Sequence, residues 1–284
     1  MDDRSPPGTA HRHGERRPAE PRATGRHAQA LPIAELPEPT DTQEPHAPPA
    51  GLGDLFAEAY RLRLLRALEE QLAHCGFVRV AGTDEVGRGA LAGPVVAAAV
   101  ILDSRCLFPG VDDSKCLPPP ERERLAAAIR GRCLGLAVAS VPAAVIDRVN
   151  ILEASRLAMR QALASLSPPP DCAVIDAVAV HGLGFPCLPV VRGDVISYAV
   201  ACASIIAKVE RDRLMVELGR RYPHYGFAAH KGYAVPEHLR ALAEHGPCPE
   251  HRLTFAPVVP RLDQEALAGG AAAPRGARRR ERGA

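Results

Sequence analysis

The chain has 284 residues, a formal net charge of +2 and 24% charged residues, so its overall charge identifies no class of partner. No apolar run approaches the roughly eighteen residues that a membrane span needs, and no membrane partner is predicted. All six Phe and five Tyr lie between Phe56 and Phe255, so both ends of the chain lack large apolar groups. Such segments bury too little surface to offset the entropy of ordering. We therefore predict a disordered Pro/Ala-rich extension over 1–50, one folded domain over 51–260 and a disordered basic tail over 261–284.

The folded domain alternates between helical and strand patterns of apolar residues. Leucines recur at helical spacing over 52–72, whereas the unbroken apolar run over 94–102 indicates a strand buried on both faces. The short Gly-rich connection between the first two predicted strands favours a hairpin. Three strands followed by alternating strands and helices predict an α/β fold, in which helices flank a mixed central sheet and a helical segment ends the domain. The predicted strands are 77–83, 94–102, 134–141, 173–176 and 188–191, and the predicted helices are 52–72, 121–130, 150–166, 195–219 and 236–245.

The eight cysteines show no C-x-x-C pair and no regular spacing, and the N-terminus is charged and Pro-rich rather than apolar. Disulfide frameworks belong to short secreted chains, which carry an apolar signal segment. The sequence therefore predicts a reducing compartment, the cytoplasm, with most cysteines serving as small core residues.

Four acidic residues stand at the ends of predicted strands or at a helix start. Asp84 and Glu85 follow the first strand, Asp176 ends the apolar run AVID, and Asp194 precedes the long helix. Each alone is consistent with an ordinary acidic turn, strand end or helix cap. A buried carboxylate without a partner costs several kcal/mol, so these sites are open to water or hold a cation. Together, four oxygen ligands favour two Mg²⁺ or Mn²⁺ ions over zinc, as in phosphodiester hydrolysis.

Two further patterns suit the binding of phosphate or sugar. Gly87, Arg88 and Gly89 form a charged loop with little side-chain shielding, whose backbone amides can approach a phosphate. Ser204 and Lys208 lie four residues apart on one face of the long predicted helix, within reach of phosphates. The alternative for this pair is a buried small serine beside a solvated lysine.

The segment YPHYGFAAHKGY combines aromatic rings with basic groups. His230, Lys231 and Tyr233 stand at its end, where they offer stacking surfaces and a cation for phosphate, or simply pack locally. The last ten residues, 275–284, carry five Arg and one Glu, which suits loose nucleic-acid binding by counterion release or a solvated tail without a role.

The order and spacing of six motifs resemble those of the bacterial ribonuclease HII family, the type 2 ribonucleases H. The resemblance extends from about residue 52 to residue 260 and implies a ribonuclease H-like fold. The matching motifs are GTDEVGRGALAGPVVAAAV (82–100), DDSKCL (112–117), VIDRVNILEAS (145–155), VIDA (174–177), RGDVISYAVACASIIAKVERD (192–212) and YGFAAHKGY (225–233).

The resemblance also implies roles for particular residues. The glycine-arginine-glycine motif 87–89 and Tyr233 are expected to recognise the 2′-hydroxyl at the junction of ribose and deoxyribose, the group that separates RNA from DNA. Ser114 and Lys115 match a loop near the substrate. The catalytic and metal-binding set, which would hold two divalent cations, Mn²⁺ or Mg²⁺, is expected to be Asp84, Glu85, Asp176 and Asp194.

The activity that this resemblance implies is that of a hydrolase, an RNA–DNA hybrid endonuclease. It would cleave the RNA strand of hybrids and the 5′ side of single ribonucleotides in duplex DNA, leaving a 3′-hydroxyl and a 5′-phosphate. Ribonucleotide removal from DNA and primer removal during replication are the roles expected of it. The expected partners are RNA–DNA hybrids and ribonucleotide-containing duplexes, the expected state is a monomer, and no sliding-clamp motif is found in the sequence.

A few positions depart from the family pattern. Ala177 replaces a usual glycine, Arg192 and Cys116 each replace a usual lysine, and Cys202 replaces a usual alanine. None of these removes a predicted metal ligand. Two other classes are the alternatives: a nucleic-acid-binding protein with a decayed site, which four intact acids disfavour, and a strand-transfer enzyme, which the single predicted domain disfavours.

Overall fold

A five-stranded mixed sheet in the order β3-β2-β1-β4-β5 forms the centre of the molecule. The computed structural model describes residues 51–258, so the predictions for the two tails lie outside the described residues. The strands are β1 (Val80–Val86), β2 (Val95–Leu102), β3 (Cys133–Val141), β4 (Cys172–Asp176) and β5 (Cys187–Val190). β1 to β3 pair antiparallel, whereas β4 runs parallel to both β1 and β5.

Helices cover both faces of this sheet, which confirms the predicted α/β architecture and the C-terminal helical segment. A 3₁₀ turn, Pro223–Tyr225, lies between the seventh and eighth helices. The helices are α1 (Leu52–Leu65), α2 (Ala67–His74), α3 (Pro119–Arg132), α4 (Ala143–Val149), α5 (Ile151–Ala164), α6 (Gly193–Ile196), α7 (Tyr198–Arg221), α8 (Phe227–His230) and α9 (Pro236–His245).

Strand β2 carries the centre of the core, and its burial on both faces confirms the prediction for 94–102. Ala98 and Val100 pack in a cluster with apolar residues of α7 and α3. The alternate residues Ala97, Ala99 and Ile101 pack on the other face against α5. Because side chains alternate along a strand, this one segment joins the two helical layers.

Two helices that the sequence predicts as continuous are interrupted, and α4 was not predicted. The first breaks at Arg66 into α1 and α2, and the second breaks at Ser197 into α6 and α7. Ser197 has an extended backbone, and its hydroxyl accepts a hydrogen bond from the Val200 amide, which begins α7. Helix α4 ends at Asn150, whose φ of 70° and side-chain cap start α5 immediately. The apolar periodicity continues through these caps, so it does not indicate where one helix ends and the next begins.

Strand β1 is longer at its end than predicted, and this fixes the backbone of the acidic pair. It continues past Thr83, so that Asp84 to Val86 pair with β2. Gly82 lies under the start of α7: a Cβ there would stand 2.1 Å from the Ala199 carbonyl carbon. The missing side chain therefore lets α7 pack directly on β1 beside the acids.

Two sequence predictions, one on membrane-spanning segments and one on the cysteines, can be compared with the structure. Within residues 51–258, no helix is both long and apolar enough to cross a membrane. All eight cysteines are free thiols, and only Cys106, Cys172 and Cys202 are buried. Half-buried Cys133, Cys187 and Cys248 pack against the core clusters, whereas Cys75 and Cys116 are exposed. The expectation that most cysteines serve as small core residues is therefore confirmed.

Candidate active site

A cleft of about 740 Å³ opens where β1 and β4 end at the same edge of the sheet. Parallel strands bring their carboxyl ends together, so Asp84 and Glu85 of β1 face the same cleft as Asp176 of β4. All but two of the predicted site residues line it. They are Asp84, Glu85, Gly87, Arg88, Gly89, Ser114, Lys115, Asp176, Asp194, Ser204, Lys208 and Tyr233.

The two predicted residues that do not line the cleft are His230 and Lys231. The short helix α8 turns His230 inward, where its Nε2 lies 2.6 Å from the Tyr225 carbonyl oxygen. The Lys231 amine donates to the carbonyl of Ala228, and its side chain borders a neighbouring groove. These positions therefore do not support the expected contact of His230 and Lys231 with the substrate.

Burial and mutual repulsion raise the pKa values of the carboxylates in the cleft. Burial is the main cause at Asp84, and with the charges of Glu85 and Asp176 it raises the pKa to about 8. Burial also raises the pKa of Glu85, against the lowering effect of Arg88. The pKa of Asp194 is raised by burial and by Asp176. The cleft therefore favours neutral acids or a compensating cation.

Asp176 and Asp194 are brought together by α6. The amide of Gly193 donates to Asp176 Oδ1 at 2.7 Å, so the residue before Asp194 is bonded to the neighbouring acid. A Cβ on Gly193 would lie 3.3 Å from both the Cα and the Oδ1 of Asp176. Arg192, a departure from the family pattern, starts α6 in a left-handed conformation with φ of 58°. Local backbone geometry thus places the fourth acid.

The donor chemistry of these acids fits a divalent cation. Carboxylate oxygens are the ligands that Mg²⁺ and Mn²⁺ prefer. Glu85 Oε1 accepts from Arg88 at 3.0 Å, whereas its buried Oε2 has no hydrogen-bond partner in the described part of the chain. However, no three His, Cys, Asp or Glu side chains within 51–258 are gathered closely enough to bind an ion in the observed conformation. The acids would have to close in around an ion.

Another part of the cleft wall carries polar groups that are already engaged with one another. The hydroxyls of Ser114 and Ser204 lie 2.9 Å apart. Lys208 Nζ pairs with Asp212 Oδ1 at 2.8 Å, so a phosphate would compete with this ion pair for the amine. Lys115 lies near enough to Asp194 for its charge to oppose the rise in the pKa of that acid.

Arg122 lines the same wall and was not predicted. Its guanidinium donates to the carbonyls of Ser114 and Leu117 at 2.9 and 2.6 Å, and it also approaches Asp212. It therefore fixes the backbone of the Ser114 loop. The sequence gives no sign of this role, because Arg122 stands in a charged helix among other arginines and glutamates.

Arg252 supports the glycine loop from behind and was also missed. Its side chain is fully buried and donates to the carbonyls of Gly87, Arg88 and Gly93 at 2.7 to 3.1 Å. These bonds hold the loop that carries Arg88. Since the partners are backbone carbonyls, no acidic residue in the sequence marks the site.

A second buried guanidinium, that of Arg211 on α7, joins the glycine loop to the Tyr233 segment. It donates to the carbonyls of Ala92, Pro94 and Lys231 at 3.0 to 3.2 Å and lies 5.5 Å from the centroid of the Tyr233 ring. A Cβ at Gly87 would lie 2.0 Å from the Arg211 Nε, so this position requires glycine on steric grounds as well as by its φ of 95°.

A cleft with three carboxylates at the ends of β1 and β4 and a fourth on α6, on a sheet of this order, defines a hydrolase of the ribonuclease H-like fold class. A solved ribonuclease H2 from Pyrococcus horikoshii OT3 is similar, with a TM-score of 0.58 and 28% identity over 67% of this chain and 99% of the other. The ribonuclease HII in a complex with PCNA from Archaeoglobus fulgidus is similar at a TM-score of 0.54 and 29% identity, over 62% and 95% of the two chains.

The sequence comparisons define the family more narrowly. The family model for ribonuclease HII matches residues 81–258. The ribonuclease HII of Geobacillus kaustophilus is 52% identical over 198 residues, which cover 68% of this chain and 74% of that protein. That of Geobacter metallireducens is 50% identical over 193 residues, 68% and 91% of the two chains. This chain belongs to the ribonuclease HII family, which confirms the resemblance seen in the motifs and makes the protein a ribonuclease.

Proposed function

We propose that this ribonuclease is an endonuclease that cuts the RNA strand of RNA–DNA hybrids and the 5′ side of single ribonucleotides in duplex DNA. It leaves a 3′-hydroxyl and a 5′-phosphate. The observation that carries this proposal is the convergence of four carboxylates with the 87–89 loop and Tyr233 in one cleft. The acids support hydrolysis of the phosphodiester, and the 87–89 loop and the Tyr233 ring recognise the sugar.

The residues that would hold two divalent cations, Mg²⁺ or Mn²⁺, are Asp84, Glu85, Asp176 and Asp194. Such ions, when bound, activate a water molecule and stabilise the leaving 3′ oxygen. The protein's own contribution is to supply oxygen ligands from adjacent strand ends and to hold Asp176 in place through the Gly193 amide. With a pKa of about 8, Asp84 must give up a proton near neutral pH to serve as a ligand.

The proposed recognition of ribose rests on the 87–89 loop and on Tyr233, which line the same cleft as the acids. Arg88 and Gly89 lie on a loop that Arg252 fixes from behind. Tyr233 is 37% exposed, and its ring centroid lies 5.5 Å from the Arg211 guanidinium. Backbone groups of the loop can contact the 2′-hydroxyl while the ring packs against the sugar, so a deoxyribose would lose a hydrogen bond. Lys115 and Lys208 are the proposed phosphate contacts.

The proposed cellular roles are ribonucleotide removal from DNA and primer removal, carried out by a monomer in the cytoplasm. These roles follow from the proposed substrates, so the cleavage experiments below also test the basis for the roles. The ribonuclease HII from Archaeoglobus fulgidus was solved with PCNA. No sliding-clamp partner is proposed for this chain.

The deciding experiment replaces Asp84 by asparagine, which keeps the shape of the side chain and removes its charge. We expect the Asp84→Asn variant to lose Mg²⁺-dependent nicking of a duplex with one embedded ribonucleotide by at least about a thousandfold, since a charged ligand is lost. The matched control is Asp54→Asn, an exposed acid on α1 outside the cleft, which should cut like the wild type.

Substrate and product analysis separates the remaining candidates. Nicking by the wild type that stops with EDTA excludes a binding protein with a decayed site, and a joined product in place of a nick would indicate strand transfer. Near-normal turnover by Asp84→Asn would contradict the assignment of the acids.

A further inference from the structure

Two buried histidines lie behind Tyr233, outside the cleft and without a role in the proposed chemistry. His238, in α9, and His251 are 0% and 2% exposed, and their Nε2 atoms are 3.1 Å apart. A hydrogen bond between two ring nitrogens requires one to carry the proton and the other to accept it. The pair therefore has a direction, which their other contacts define.

The neighbouring backbone groups select one tautomer for each ring. The Cys248 amide donates to His251 Nδ1 at 3.0 Å, so neutral His251 carries its proton on Nε2. His251 Nε2 then donates to His238 Nε2, which leaves the proton of His238 on Nδ1. That nitrogen lies 2.9 Å from the Tyr233 carbonyl oxygen and donates to it. A single chain of donors thus runs from Cys248 to Tyr233.

The surroundings keep both rings neutral. Burial lowers the pKa of His238, and burial together with His238 lowers that of His251 to about 4. Aromatic rings pack against the pair: Phe227 lies 5.5 Å from each ring, and the His230 ring stacks on His238 at 4.5 Å. A proton added to the pair would set two N–H groups against each other, so the relay requires neutral rings.

The relay ends on the main chain of Tyr233, which is held on both sides of its Cα. The Tyr233 carbonyl also accepts from the Val235 amide at 2.9 Å, and the Tyr233 amide donates to the His230 carbonyl at 3.0 Å. Since a carbonyl oxygen accepts about two hydrogen bonds, His238 completes its set and fixes the orientation of the peptide plane. The direction of the Tyr233 side chain from its Cα is thereby constrained as well.

We propose that His251 and His238 form a directional hydrogen-bond relay that positions Tyr233 for the recognition of ribose next to deoxyribose. This inference rests on the proposed function, in which the Tyr233 ring senses the sugar. Both histidines are positioning residues: neither touches the substrate, and their effect reaches it through the main chain of Tyr233.

Two amide substitutions at position 238 separate this role from simple packing. The side-chain amide of asparagine reaches the position of Nδ1, where its nitrogen can donate, whereas that of glutamine reaches the position of Nε2, where its oxygen can accept from His251. His238→Asn therefore keeps the donor to Tyr233, and His238→Gln keeps only the contact with His251. Packing alone favours glutamine, the larger side chain, so the two hypotheses predict opposite orders.

The measurement is kcat and KM on matched duplexes that carry one or four ribonucleotides. We expect His238→Gln to lower kcat on the single-ribonucleotide duplex about fivefold with little change in KM, the factor that one net hydrogen bond supplies. His238→Asn should stay within about twofold of the wild type. Tyr233→Ala sets the scale for complete loss of sensing, and thermal unfolding of both variants shows whether either is destabilised.

Nitrogen-15 NMR of the histidine rings gives a readout without catalysis. We expect the Nδ1–H tautomer for His238 and the Nε2–H tautomer for His251, assigned among the eleven histidines by substitution. The opposite tautomers, a charged ring, or equal kinetic losses in the Asn and Gln variants would overturn the relay. Absence of cleavage by the wild type would instead overturn the proposed function and, with it, the substrate role of Tyr233.

Discussion

At the scale of single residues, the site depends on a buried guanidinium that has no acidic partner among the residues that the structure describes. Arg252 is buried against the carbonyls of Gly87, Arg88 and Gly93. Buried arginines are ordinarily paired with acids, and here burial, with the charge of Arg211, lowers the pKa of Arg252 to about 9. The guanidinium is tolerated because its planar fork meets several carbonyl oxygens at once.

This arrangement predicts a large effect for Arg252→Met, which keeps side-chain length and removes every donor. The carbonyls of the loop would be left buried without partners, so we expect the free energy of unfolding to fall by at least about 2 kcal/mol. Urea denaturation measures it. The matched control is Arg105→Met at a side chain that is 88% exposed, which should change stability by less than about 0.5 kcal/mol. Equal effects at the two positions would contradict the support role of Arg252.

The same scale shows what the sequence could and could not predict of the site. The four acids could be identified because three follow apolar strands and one precedes a helix. A buried carboxylate there is costly unless water or a cation compensates its charge. Arg252 could not, since its partners are backbone carbonyls that every residue carries. His230 was assigned to the substrate because it stands in a basic and aromatic loop, but a four-residue helix turns its ring into the protein.

At the scale of elements, the contact of α7 with β1 sets the depth of the cleft. Glycine at position 82 allows the start of α7 to lie on the strand, and Glu69 of α2 accepts from the Ser197 hydroxyl and the Ala199 amide at 2.5 and 2.9 Å. The sequence predicts continuous helices over 52–72 and 195–219, because apolar periodicity does not reveal a helix cap. Their breaks at Arg66 and Ser197 allow α2 to reach the first turn of α7.

A test of this contact is Gly82→Ala. The added methyl group would collide with backbone atoms of Ala199 and Val200 at 2.1 and 2.3 Å, which cannot rotate away. We expect a loss of about 2–3 kcal/mol in the free energy of unfolding. Gly131→Ala in α3 is the matched control, since a Cβ there meets nothing within 4 Å and alanine favours a helix. An equally stable Gly82→Ala variant in denaturant titrations would show that α7 is not seated as described.

At the scale of the whole molecule, the cleft gathers acids whose ionisation the fold opposes. The pKa values of Asp84, Glu85 and Asp194 are all raised, as is that of buried Glu69. A carboxyl group with a raised pKa binds a proton in the folded state that the unfolded chain has released. The stabilising contribution is complete below the ordinary pKa and is lost as pH rises through the raised one.

We therefore expect the cation-free protein to lose stability as pH rises between about 4 and about 8, the window given by Asp84. Added Mg²⁺ or Mn²⁺ should reverse the loss, since it binds the charged form, and should release protons below about pH 8. Unfolding in EDTA and in Mg²⁺ across this range is the measurement. Asp84→Asn should flatten the slope, and an unchanged slope in this variant would assign the effect to other groups.

The distance along the chain between Gly87 and Arg252 has a consequence for synthesis on the ribosome. The two residues are 165 positions apart, so the glycine loop emerges long before the side chain that braces it. At about 5–20 residues per second, translation separates them by about 8 to 33 seconds. During that interval strand β1 is already made, but the 87–89 loop that we propose to recognise the substrate lacks the side chain that braces it. The cleft of a nascent chain is therefore complete only after Arg252 has been added.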